Sequence, residues 1–76
     1  MIREHERVVL TRDVLDKGLK AGDVGTVVHV YSGNKAFEVE FFALNGDTAA
    51  VVTLKSSEIR SVRKSEINHA REMAVA

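Results

Sequence analysis

The chain has no cysteine, no proline and no tryptophan, and only one tyrosine and three phenylalanines among its 76 residues. Without cysteine there is no disulfide and no thiolate metal site, so packing alone must hold the fold. A reducing cytoplasm is the expected location. With so few aromatic rings, the chain is unable to line the groove that grips polyproline helices. Net charge is missing too: 11 basic residues balance 11 acidic ones. Proteins that bind nucleic acid without sequence preference usually carry a basic excess, so only a local patch is open here. No apolar run nears the roughly 18 residues of a membrane span. The charged start, Met1-Ile2-Arg3-Glu4-His5-Glu6-Arg7, lacks the apolar stretch of a signal peptide. A chain this short forms one domain and buries only about 60% of its unfolded surface. It has no room for a deep catalytic cavity beside a core, and its function is expected on the surface.

What is present reads as β structure. Glu6 to Arg12 carries Val8-Val9-Leu10 between charges and predicts a first strand. Asp13 to Asp23 is polar, holds Gly18 and Gly22, and reads as a loop anchored by Leu15 and Leu19. Val24 to Tyr31 is rich in β-branched residues and predicts the second strand. Ser32-Gly33-Asn34 is a turn signal, and Ala36 to Phe42 alternates as a third strand should. Asn45-Gly46 suits a two-residue type I′ hairpin turn. Thr48 to Leu54 and Ile59 to Val62 follow as fourth and fifth strands.

The two turns predict a register. The second turn pairs Phe41 with Ala50, Val39 with Val52 and Phe37 with Leu54. The first, taken as two residues at Gly33-Asn34, pairs Val30 with Phe37, Val28 with Val39 and Thr26 with Phe41. Both hairpins then put Val28, Val30, Phe37, Val39, Phe41, Val52 and Leu54 on one inner face, and a one-residue slip would destroy that agreement. The outer face presents Val27, Phe42, Ala49 and Val51 beside His29, Glu38, Glu40 and Thr53. From Arg63 the period changes. Ser65 can cap a helix with Glu66 in its first turn. Ile67, Ala70 and Ala74 would share a stripe, with Met73 near it. The predicted organisation is a domain over 1–62 and a helical or frayed tail over 63–76.

The segment Leu19-Lys20-Ala21-Gly22-Asp23-Val24-Gly25-Thr26-Val27-Val28-His29-Val30 resembles the loop-to-strand signature of SH3-like barrels. It is similar to the KOW element of some ribosomal proteins and transcription elongation factors. Gly22 would let the chain turn into the strand, and Gly25 would let another backbone approach. Met1 to Val62 as a whole resembles a family of short bacterial proteins catalogued only as a domain of unknown function. The matching features are the RVVLTRD start, the LKAGDVGTVVHVY segment and the AFEVEF and AVVTL strands. This resemblance implies an all-β fold, a five-stranded SH3-like small barrel; the tail from Arg63 to Ala76, read from its own pattern as a short C-terminal helix, lies outside it. It implies no activity.

Chemistry-bearing constellations are sparse. His5, His29 and His69 make no spaced pair, so no structural metal site is expected. His29 is expected to face Glu38 across the strands with Thr53 beyond, either as a pH-sensitive cluster or as a solvated cross-strand pair. Thr53, Ser56 and Ser57 have no base placed to activate them, and no phosphate-binding glycine loop is present. No enzyme activity and no cofactor are expected. Lys17, Lys20 and Lys35 are the candidate nucleic-acid contacts, interspersed with Asp13, Asp16 and Asp23. Val27, Tyr31, Phe42, Ala49 and Val51 are the candidate protein interface, since exposed apolar clusters mark contact surfaces. The leading expectation is a non-catalytic protein-interaction module or accessory subunit with an unidentified protein partner and no membrane contact. A KOW-type RNA-binding module and a module that self-associates through its tail are the alternatives.

Overall fold

The computed structural model describes residues 1–73. Five antiparallel strands form one sheet in the order β4-β3-β2-β1-β5. They span Arg7–Leu10 (β1), Val24–Val30 (β2), Ala36–Phe42 (β3), Thr48–Lys55 (β4) and Ile59–Ser61 (β5). Short 3-10 turns at Leu15–Lys17, Ser32–Asn34 and Ser56–Glu58 punctuate the connections. All five predicted strands are present, but β4 and β5 do not pair, so the sheet is not closed into the expected barrel.

The β3–β4 register is the predicted one: Phe41 with Ala50, Val39 with Val52 and Phe37 with Leu54. The turn that sets it is different. Ala43 N–H donates to the Asp47 carbonyl at 2.8 Å and Gly46 N–H to the Ala43 carbonyl at 2.9 Å. Leu44-Asn45-Gly46 is therefore a three-residue loop, a type I turn closed by Gly46 in the left-handed region at φ +98°. Only one residue takes a positive φ there, so no type I′ turn forms. The extra loop residue is absorbed by a shift at Phe41/Phe42, after which Phe42 faces Thr48.

The β2–β3 register starts as predicted, with Val30 opposite Phe37, and then slips. His29 faces Glu38, but Val27 rather than Val28 faces Val39. Val28 is the extra residue of a β-bulge, and a bulge reverses the side on which every residue before it lies. This corrects two face assignments. Val27 is 0% exposed and sits in the core, whereas Val28 is 38% exposed. Thr26 faces Glu40, and Gly25 takes the place opposite Phe41. A Cβ at Gly25 would meet Val39 Cγ1 at 2.6 Å and Phe41 Cε2 at 2.9 Å. The glycine thus admits side chains of β3, not the other backbone that the sequence suggested.

The core gathers Val8, Leu10, Leu19, Val27, Phe37, Val39, Phe41, Leu54 and Ile59. Ile2, Val14, Val30, Ala50, Val52 and Met73 pack against its rim. In the β1–β2 loop Leu19 is the anchor, bridged to Val14 through paired main-chain bonds of 2.9 and 3.1 Å. Leu15 is no anchor: it is 81% exposed on the 3-10 turn. Gly22, at φ +96°, makes the turn into β2 as expected.

The predicted C-terminal helix is absent from the described residues. A turn at Lys64-Ser65 is followed by irregular chain to Met73. Ser65 caps nothing; Glu66 instead reaches back to accept the Arg63 N–H at 2.6 Å. The segment is too short to form a helix without a face to dock on, and here side-chain bonds to the sheet domain hold it in another shape. Ala74, the last member of the predicted stripe, lies outside the described residues.

Candidate interaction site

The tail is held at two points. Arg60, on β5, donates from Nη1 and Nη2 to the two Glu66 carboxylate oxygens at 3.0 and 2.7 Å. Further along, Arg71 donates from Nε to Asp23 Oδ1 at 2.9 Å, from Nη2 to Asp23 Oδ2, and from Nη2 to the Gly18 carbonyl at 3.1 Å. Asp23 also accepts the Lys20 N–H at 2.8 Å. Such bidentate guanidinium pairs fix orientation as well as charge. Burial pushes the Asp23 carboxyl up, but the bonds from Arg71 and Lys20 outweigh it and hold the group below its usual range. The Arg60 guanidinium, aided by the Arg63 N–H, lowers Glu66 from 4.5 to about 2.

Held in this way, the tail runs beside the β3–β4 hairpin without closing on it. The gap is a groove of about 550 Å³. Its walls include Leu19 of the β1–β2 loop, Val24 at the start of β2, Phe42, Leu44 and Ala49 of the hairpin, and Ile67, Ala70 and Met73 of the tail. Phe42 is 47% exposed, and Leu44 and Ile67 are still more open. The predicted interface residues therefore separate. Phe42 and Ala49 line the groove. Val51, 45% exposed, sits on the outer face opposite Glu40. Tyr31 lies at the far end of β2, and Val27 is core. Sequence reasoning read an apolar stripe on the tail but missed Leu44 and Val24. Leu44 was hidden by treating the hairpin loop as two residues, and the Asp23–Arg71 pair has no signal in local sequence because 48 positions separate the partners.

The outer face carries a polar cluster. Thr53 Oγ1 donates to Glu38 Oε1 at 2.5 Å, and the Tyr31 hydroxyl donates to the same oxygen at 3.3 Å. Thr48 Oγ1 donates to Glu40 Oε2 at 2.6 Å. His29 is opposite Glu38 in the ladder, as predicted, but the carboxylate near its Nδ1 is Glu4 Oε2, at 3.8 Å. Its ring meets Tyr31 edge-on, with centroids 4.7 Å apart. All of these bonds are exposed.

The three lysines do not form one patch. Lys20 precedes β2 and Lys35 follows it, so a seven-residue strand of about 20 Å lies between them. Lys17 sits on the 3-10 turn of the β1–β2 loop, at Lys20's end. Among the described residues no group of three or more His, Cys, Asp or Glu is placed to hold a metal ion. No described helix is long and apolar enough to cross a membrane.

No curated protein and no solved structure matches this chain. A family model matches residues 4–61, which takes in all five strands and stops before the tail. The chain belongs to the family described as domain of unknown function DUF4926, and its tail is an addition to the matched region.

Proposed function

We propose that this protein is a non-catalytic protein-interaction module that receives an apolar segment of its partner in the groove between the tail and the β3–β4 hairpin. The observation that carries this is the convergence of exposed Phe42, Leu44 and Ile67 on one groove of about 550 Å³. Large apolar side chains left together at a surface mark contact sites. The non-catalytic part is supported by the polar cluster, whose carboxylates and hydroxyls lie on an open face where water reaches them. An SH3-like architecture belongs to the same reading. It is supported by the strand order, by β1 pairing both β2 and β5, and by the 3-10 turn between β4 and β5. A bacterial source and a cytoplasmic location complete it, supported by the family resemblance and the lack of cysteine.

The RNA-binding alternative rests on the lysines, and their separation along β2 weakens it. Tail-mediated self-association is weakened by the tail's bonds to its own Asp23 and Arg60. The test is a tagged pull-down from the native host with and without nuclease, run beside a Phe42→Ser/Leu44→Ser variant. A stoichiometric protein that survives nuclease and is lost with the variant is the expected result. Partners that vanish with nuclease would transfer the assignment to nucleic acid.

A further inference from the structure

Arg71 sits in a seat that the sheet domain builds by itself. The Asp23 carboxylate accepts bonds from its Nε, at 2.9 Å, and from its Nη2, and the Gly18 carbonyl accepts Nη2 at 3.1 Å. Both acceptors are fixed without help from the tail. Asp23 Oδ2 also accepts the Lys20 N–H at 2.8 Å, and the Asp23 carbonyl accepts the Leu10 N–H of β1 at 2.9 Å. Gly18, left-handed at φ +70°, closes the 3-10 turn by donating its N–H to the Leu15 carbonyl at 3.1 Å. Asp13, which accepts the Ala21 N–H at 2.9 Å, adds a second negative charge near the guanidinium. Every group of this seat lies within residues 4–61, the part that the family model matches, while its occupant lies beyond them.

The tail satisfies only one end of the groove it borders. Two positions past Arg71, Met73 packs against the core rim. Toward the hairpin, Phe42 and Leu44 stay exposed, and so does Ile67 of the tail. The ionic end is thus filled and the apolar end is left bare. A chain segment that offered the same arginine and also covered Phe42 and Leu44 would bury more apolar surface than the tail does, and such burial favours it over the tail.

We infer that the tail is a resident competitor, which holds in cis the arginine seat of the partner site. The partner that displaces it presents an arginine followed two positions on by a large apolar residue, with further apolar side chains for Phe42 and Leu44. This rests on the reading of the groove as the partner site, and it names the partner's chemistry. Lysine does not suit the seat, because two carboxylate oxygens and a carbonyl match a planar fork and not a point charge. A tethered occupant acts at an effective concentration that is roughly millimolar for short flexible linkers. That excludes weak ligands and yields to one that makes additional contacts.

Fluorescence anisotropy on the full chain, with a labelled peptide of the sequence Ile67 to Met73, tests it. Arg71→Ala/Met73→Ala vacates the seat, and this chain should bind the peptide at least tenfold more tightly than the unaltered chain, whose own tail excludes it. Changing the peptide's arginine to lysine should weaken binding to the vacated chain at least tenfold. Adding Asp23→Asn to the vacated chain should do the same with the far-UV circular dichroism unchanged, since asparagine still offers an oxygen to the Lys20 N–H. Equal binding by the vacated and unaltered chains overturns the inference. So does binding that survives Asp23→Asn, or a vacated chain that binds no peptide. In the pull-down, partner capture that needs Phe42 and Leu44 but ignores Asp23→Asn would keep the groove reading and overturn this one.

Discussion

Single residues decide more of this fold than their size suggests. Gly25 is one. The space its missing side chain leaves is filled by Val39 and the Phe41 ring, and a methyl group there would sit 2.6 Å from Val39 Cγ1. Both neighbours are core residues that cannot swing away. Gly25→Ala is expected to lower stability by about 1–3 kcal/mol, the usual cost of overpacking, as read by urea titration. A change within experimental scatter would mean that the β2–β3 contact relaxes freely. Val27 and Val51 form a second contrast. They are the same residue type and were assigned to the same face, yet one is fully buried and the other half exposed. Val27→Glu should abolish cooperative unfolding, because it buries a lone carboxylate. Val51→Glu should keep the melting profile. Equal behaviour of the two variants would return Val27 to the surface. The sequence alone could not separate them, since nothing in Val24-Gly25-Thr26-Val27-Val28-His29-Val30 marks which residue is the bulge. The alternation that made β3 easy to read is what misled the reading of β2.

At the scale of elements, the strands were legible and the tail was not. β3 and β4 have a period of two, and their turn contains glycine, so existence, register and inner face all follow from composition. The tail's shape comes from ionic contacts far apart in sequence. Its attachment should therefore answer to pH. Glu66 has its carboxyl lowered from 4.5 to about 2, and Asp23 is also lowered. A carboxylate depressed in the docked state favours docking fully above its ordinary value and loses that contribution as pH falls through the docked value. The tail should thus stay in place at neutral pH and release progressively from about pH 4.5 toward pH 2. The Met73 methyl resonance, which reports contact with the core rim, is the measurement. A resonance constant over that range, with the sheet still folded, would show that the carboxylates do not hold the tail. The groove shares this dependence, because Ile67, Ala70 and Met73 form one of its walls.

For the whole molecule, the family match and the core agree on what is essential. Among the described residues, every fully buried apolar one lies between Val8 and Ile59, within the matched residues 4–61. A chain ending at Val62 should therefore fold with the same far-UV spectrum. It loses the packing of Met73 and the two ion pairs of the tail, which solvent screens. A small loss of stability, with a single cooperative transition retained, is expected by denaturant titration. Failure to unfold cooperatively would make the tail part of the domain.

The bulge at Val28 also bears on how chains of this family can vary in length. Removing one residue from a strand ordinarily turns half of its side chains inside out. Here one position is exempt. Excising Val28 would leave Val27 against Val39 and His29 against Glu38, the partners they already have. An alignment gap at this point, and nowhere else in β2, is compatible with an unchanged core, so relatives are free to differ there by a residue without repacking the sheet.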